Sequence, residues 1–132
     1  MWTKRLLAIS LTLLIAATSF AQISTVREAN GLLKDGKLDE ALVKINAAIK
    51  DDYTKKEPRT WYLKGRIHTE KAKGGNFSDM DQVKKAISAL GKAQELDTSY
   101  STYYSKAAKY LKFIWGNLIN KGAKIYSAKK KK

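Results

Sequence analysis

Residues 29–49 read ANGLLKDGKLDEALVKINAAI. Apolar side chains recur at helical spacing on both sides of Gly36: Ala29, Leu32 and Leu33 before it, and Ala41, Ile45, Ala48 and Ile49 after it. Gly36 stands where a helix–turn–helix needs a residue that tolerates positive φ. Asp39 and Glu40 fall in the first turn of the second helix, where negative charge suits the helix dipole. The stretch therefore predicts a helical hairpin whose helices are each a few turns long. Such a hairpin cannot bury its apolar stripe alone and needs a neighbour.

The pattern recurs. Ala41, Ile45 and Ala48 have counterparts 45 residues on at Ala86, Leu90 and Ala93, and Thr25, Ala29 and Leu32 have counterparts 36 residues on at Trp61, Gly65 and His68. The nine-residue difference between the offsets is an insertion between the helices of the second pair. Trp61, Gly65, Ala86, Leu90, Ala93 and the closing Leu96-Asp97-Thr98 resemble the tetratricopeptide repeat, whose period is about 34 residues. Small residues at Ala29, Gly65, Ala41, Ala86, Ala48 and Ala93 allow close helix crossing. The family's proline is replaced by Tyr53 and Thr98, and its first-helix aromatic by Leu32 and His68. The resemblance spans Gln22 to Thr98 and implies an all-α, short α-solenoid of two hairpins, 22–55 and 58–98. A loop at 74–80 is inserted in the second.

Composition sets outer bounds. The 132 residues suffice for one small domain, and a single proline among few glycines fits a mostly helical chain. Without cysteine there is no disulfide, thiolate metal site or lipidated N-terminal cysteine. The formal charge of +14 is unevenly placed. Gln22–Asp97 holds 15 basic against 12 acidic residues, whereas Thr98–Lys132 holds nine lysines and no acid.

Lys4 and Arg5, the apolar Leu6–Ala17 and the small-x-small Ser19-Phe20-Ala21 make residues 1–21 a secretory signal peptide, cleaved before Gln22. The twelve residues from Leu6 to Ala17 fall short of the ~20 that span a bilayer. The mature chain is thus expected in the periplasm or secreted. Further helices are expected over Ser24–Lys34, Leu38–Lys50, Pro58–Lys73 and Met80–Leu96, with Ser78 as the N-cap of the last in a capping box with Asp81.

Residues 99–128 form a long terminal helix by the recurrence of Tyr103, Ala107, Tyr110, Leu111, Ile114, Leu118, Ile125 and Tyr126. Aligning Gly122 with Gly65 makes its second half resemble the first helix of a third repeat, followed by the lysine tail 129–132. Trp115, Leu118, Ile119, Ile125 and Tyr126 then call for a cover. Two readings stand: the chain is the front part of a longer repeat protein truncated by a frameshift, or the tail is native and the aromatics pack back on the fourth helix. An uncovered terminal helix also makes self-association an expectation.

Signals for catalysis are weak. His68 is the only histidine and occupies a packing slot, and no Ser–His–acid set, HExxH or GK[ST] phosphate loop occurs. Asn76, Ser78, Asp79 and Asp81 lack the glycine and distal glutamate of a calcium loop and read as a helix cap. Asn76-Phe77-Ser78 matches a glycosylation sequon, which matters only in a eukaryotic secretory pathway. No enzyme activity, cofactor, metal or small-molecule substrate is expected.

The resemblance implies protein binding along the first helices of the repeats. Its groove positions fall on Asn30 and Leu33 (with Val26) in the first repeat, and on Arg59, Tyr62, Arg66, Thr69 and Glu70 in the second. Val26 stands where a carboxylate-clamp repeat has lysine, which argues against recognition of a C-terminal carboxylate. The expected function is an exported scaffold holding a peptide or partner helix. The alternative is a basic protein binding an anionic surface, lipid ahead of nucleic acid, through Lys121, Lys124 and Lys129–Lys132.

Overall fold

A computed structural model of the protein describes residues 23–130. The signal-peptide reading and the last two lysines lie outside the described residues. The described chain is all-α, without a strand, and forms two compact units that divide between Lys55 and Lys56.

The first unit is the hairpin read from residues 29–49. Helix α1 covers 23–34 and α2 covers Leu38–Ile49. Gly36 adopts φ +75. Its amide donates to the Leu33 carbonyl at 3.2 Å, and the next amide, on Lys37, reaches back to Leu32 at 2.9 Å. This paired closure satisfies carbonyls left open at the end of α1 and turns the chain into α2. Val26, Ala29 and Leu33 on α1 and Ala41, Ile45 and Ala48 on α2 are buried. Glu28 and Lys44 tie the two helices by an ion pair of 2.7 Å. Lys37 at the N-cap of α2 offers no side-chain capping bond, so Asp39 and Glu40 in the first turn are the acidic compensation. At the other end the Asp51 carboxylate accepts the Tyr53 and Thr54 amides, each at 3.0 Å. These bonds, the Thr54 amide first, hold Asp51 below the usual carboxylate range. The Thr54 hydroxyl donates to the Ala48 carbonyl, and a single 3₁₀ turn at Thr54–Lys56 follows.

The second unit contains α3 (Pro58–Gly74), α4 (Met80–Leu96) and α5 (Thr102–Lys130). Pro58 opens α3 in the first turn, where its missing N–H costs nothing. Helix α3 packs along α4, and α5 lies against both. The helices approach closely at Gly65: a Cβ there would fall 2.5 Å from Leu90 Cγ. The shared core contains Ala72, Phe77, Val83, Ala86, Leu90, Ala93, Ala107 and Ile114.

One helix cap differs from expectation. The cap of α4 is Asp79, not Ser78: its carboxylate accepts the Asp81 and Gln82 amides at 3.0 and 3.2 Å. Ser78 instead accepts a bond from Lys121 on α5 at 2.7 Å. After α3, Gly74 and Gly75 do not supply the left-handed step. Asn76 (φ 50) and Phe77 (φ 54) do, with the Asn76 amide on Lys73 O (2.9 Å) and the Phe77 amide on Ala72 O (2.7 Å). Asn tolerates this region; a phenylalanine there is strained, and its ring is held by burial in the core and by the edge of Phe113 at 5.8 Å.

Candidate functional site at the seam of α3 and α5

The passage from α4 to α5 fixes where α5 lies. Asp97 closes α4 and also caps α5. Its two oxygens accept the Tyr103 and Tyr104 amides (2.9 Å each), the Ser99 hydroxyl (2.9 Å) and the Ser101 hydroxyl (3.0 Å). The Tyr104 amide first, then the Ser99 and Ser101 hydroxyls, lower its pKa to about 2. Anchored there, α5 runs back along α3 and brings Tyr103 and Tyr110 to Tyr62 and Arg66.

The seam is an aromatic box around one guanidinium. The Tyr62 ring lies 5.6 Å from that of Tyr103 and 5.9 Å from that of Tyr110. Arg66 sits 5.8 Å from both the Tyr62 and Tyr110 ring centres, and its Nε–H donates to the Tyr110 hydroxyl at 3.1 Å. Burial raises the Tyr62 pKa, so the phenol stays neutral. Tyr62 and Arg66 are thus engaged by the chain's own last helix rather than open to a partner. That departs from the groove expectation, because an aromatic–cation pair on one helix serves equally to dock another helix of the same chain.

Other groove positions fare differently. Thr69 is fully buried and donates to the Gly65 carbonyl four residues back at 2.7 Å, so it offers no surface. Leu33, like Val26, is buried, while Asn30 is half-buried on α1; both groove residues of the first repeat belong to the first unit. Arg59 is half-buried in the opening turn of α3. Glu70 remains at a surface, where it accepts from Lys73 at 2.8 Å; this hydrogen bond raises the Lys73 pKa.

Glu70 and Lys73 form one wall of a cleft of about 260 Å³, and Lys109, Tyr110 and Phe113 of α5 form the other. Phe113 is 43% exposed here while its other edge meets Phe77. The cleft offers an aromatic floor between paired and unpaired charges, which suits an amphipathic peptide. Sequence reading missed Lys73, Lys109, Tyr110 and Phe113. The signal that would have found them is the four-residue step from Lys109 to Phe113, facing the three-residue step from Glu70 to Lys73. A second cleft of about 300 Å³ between α3 and α4 is lined by Trp61, Lys64, Lys84, Lys85, Ser88 and Ala89. Burial, then Lys85, lowers the Lys64 pKa.

His68 is a buried packing residue. Its Nδ1 meets Gln82 Oε1 at 2.8 Å, so the neutral ring carries its proton on Nδ1, and burial depresses its pKa. The described residues contain no cluster of acidic and histidine side chains that would hold a metal ion, and no helix long and apolar enough to cross a membrane. Compared with known proteins, the chain matches no family model, no curated protein and no solved structure.

Proposed function

We propose that the protein is an exported, non-catalytic scaffold of tetratricopeptide type that holds a peptide or partner helix in the cleft between α3 and α5. The observation that carries this is Phe113, exposed at 43% within a concave site lined by Glu70, Lys73, Lys109 and Tyr110. The repeat reading is supported by the equivalent small positions: Ala29, Ala41 and Ala48 in one hairpin and Gly65, Ala86 and Ala93 in the other are all buried. Export rests on the signal-like residues 1–21. A non-catalytic role is favoured by the sole histidine being buried, neutral and occupied by Gln82.

The test is photo-crosslinking in the source cell from an aromatic crosslinker at position 113, with the half-buried position 92 on α4 as control. A partner captured at 113 and not at 92 is purified and titrated against the wild type, Phe113→Ala and Glu70→Lys. Affinity at least tenfold weaker for both variants supports the cleft, as expected of an aromatic anchor. Equal affinity for all three proteins refutes it.

A further inference from the structure

The distal half of α5 carries a surface that the cleft does not use. Its buried residues, Ala107 and Ile114, both lie in the first half. From Ile119 to Lys130 every residue is exposed except Lys121, which is half-buried. Trp115, Ile119, Ile125 and Tyr126 are 53, 67, 51 and 70% exposed. At the helical turn of about 100° per residue these four and the half-buried Leu118 fall within an arc of about 120°. Asn120 and Lys124 stand about 160° from the centre of that arc, and Lys112, Lys121, Lys129 and Lys130 flank it or close its end.

The charge is one-sided. No acidic residue occurs from Thr98 to Lys132. None of the carboxylate ion pairs among the described residues involves a lysine of α5. Lys106 lies over the Tyr103 ring, and Lys121 is bonded to the 76–78 loop. The remaining ammonium groups face solvent.

We infer that the Trp115–Lys130 segment docks in the plane of an anionic lipid surface. A single helix with an apolar arc, aromatic residues near each axial end of that ridge and lysines around it matches the interfacial mode of membrane binding. Trp115 and Tyr126, roughly 17 Å apart along the axis, place amphipathic rings at headgroup level, and the flanking lysines reach anionic headgroups. The shape decides against an acidic protein partner. Beyond Leu118, which packs on the core, the arc is an exposed convex ridge, whereas a protein hot spot fills a pocket. A bilayer accepts a convex ridge by parting its headgroups. Nucleic acid offers nothing to the exposed isoleucines. Phe113 lies about 180° around the helix from the centre of this ridge, so the cleft stays open on a docked molecule. The inference is independent of the cleft and uses none of its residues.

The chain has no cysteine, so one introduced thiol takes one label. An environment-sensitive fluorophore is attached to full-length Tyr126→Cys, on the ridge, and separately to Asn120→Cys, on the opposite face. Each is titrated with vesicles of phosphatidylglycerol and phosphatidylcholine in equal parts, and with phosphatidylcholine alone. Docking predicts a several-fold emission rise at position 126 with anionic vesicles only, little change at 120, and reversal as salt is raised. Lys124→Glu/Lys129→Glu/Lys130→Glu should weaken the response at least tenfold. Ile119→Ser, at an exposed position and with its fold checked by circular dichroism, should do likewise. An equal response of both labels, no response at 126, or an equal response to neutral vesicles overturns the inference. So does a response at 126 to polyglutamate at lower concentration than to vesicles, which would assign the ridge to an acidic protein.

Discussion

Gly65 of α3 lies so close to Leu90 of α4 that a Cβ on Gly65 would stand 2.5 Å from Leu90 Cγ, 2.7 Å from its Cδ2 and 3.1 Å from its backbone nitrogen. The same contact sets the seam. Arg66 follows Gly65 directly and Tyr62 is one turn before it, so the depth at which α3 settles on α4 fixes the height at which these side chains meet α5.

Gly65→Ala should therefore cost about 1–3 kcal/mol, the range for overpacking a tight core. The Leu90 side chain can swing, but its backbone nitrogen moves only with the helix. Gly65→Ala/Leu90→Ala should recover part of the loss relative to Leu90→Ala alone. Urea denaturation of the four proteins checks this; additive costs in the double variant would contradict it.

The turn glycines invite a paired comparison. A Cβ added to Gly36, at φ +75, would meet no atom within 4 Å, so Gly36→Ala suffers from backbone conformation alone, about 1–2 kcal/mol. Asn76 already occupies the same region at φ 50 without being glycine. Asn76→Gly should accordingly be neutral or stabilise by a few tenths of a kcal/mol. Thermal melts of the two variants should move in opposite directions or leave Asn76→Gly unmoved.

In the aromatic box, Tyr110→Phe removes the acceptor of the Arg66 Nε–H and should cost about 0.5–1.5 kcal/mol. Arg66→Ala should cost at least as much, since it also removes two ring contacts. The double variant should fall short of the sum, giving a coupling of roughly 0.5–1.5 kcal/mol in a double-mutant cycle. Zero coupling would mean that the box is solvent-screened and does not dock α5.

The helices are legible in the sequence and the engagement of the site is not. Met80–Leu96 emerges with the expected bounds, and Pro58 marks the start of α3, because apolar period and proline chemistry are local. The α4 cap falls one residue later than expected since Ser78 and Asp79 both carry suitable oxygens, and only the loop path decides which reaches the free amides. Tyr62 and Arg66 read as groove residues from their place on α3. Their partner Tyr110 lies 44 residues beyond Arg66, and no periodicity within a helix reports a contact of that range. Trp115, Ile119, Ile125 and Tyr126 call for a cover in the sequence and remain uncovered in the fold, because α3 and α4 reach only the first half of α5.

His68, the sole histidine, gives an isolated titration. Its folded pKa is depressed by burial, so above the unfolded value of 6.5 both states are neutral and its full contribution to stability is present. As pH falls below 6.5 the unfolded chain binds a proton first and stability declines, until the folded pKa is passed. The ring resonances should titrate below 6.5 and show the Nδ1–H form. His68→Gln should remove this part of the pH dependence while leaving that of the carboxylates. A ring titrating at or above 6.5 would contradict the buried, neutral assignment.

Asp97 contributes to the acid limb together with Asp51 and Asp81, whose carboxyls are also lowered. The Asp97 carboxylate is lowered to about 2 in the fold from 3.8 unperturbed, because the Tyr104 amide first, then the Ser99 and Ser101 hydroxyls and the Ser101 amide, donate to it. A depressed folded pKa means that stability is present above 3.8 and is lost as pH falls from 3.8 towards 2. The loss should begin locally, at the first turn of α5. Amide exchange at Tyr103 and Tyr104 should accelerate in that window before exchange at Ile67 or Leu90 in the buried helices α3 and α4. Asp97→Ala should expose the same two amides already at about pH 6, lower the Tm by several degrees and flatten the dependence between about pH 4 and 2. Asp97→Asn retains one acceptor oxygen; it should keep the two amides partly protected and lose the serine bonds. If Tyr103 and Tyr104 exchange no faster in Asp97→Ala than in the wild type, the carboxylate does not cap α5, and the position of α5 on α3 must be set by the Tyr62–Arg66–Tyr110 box alone.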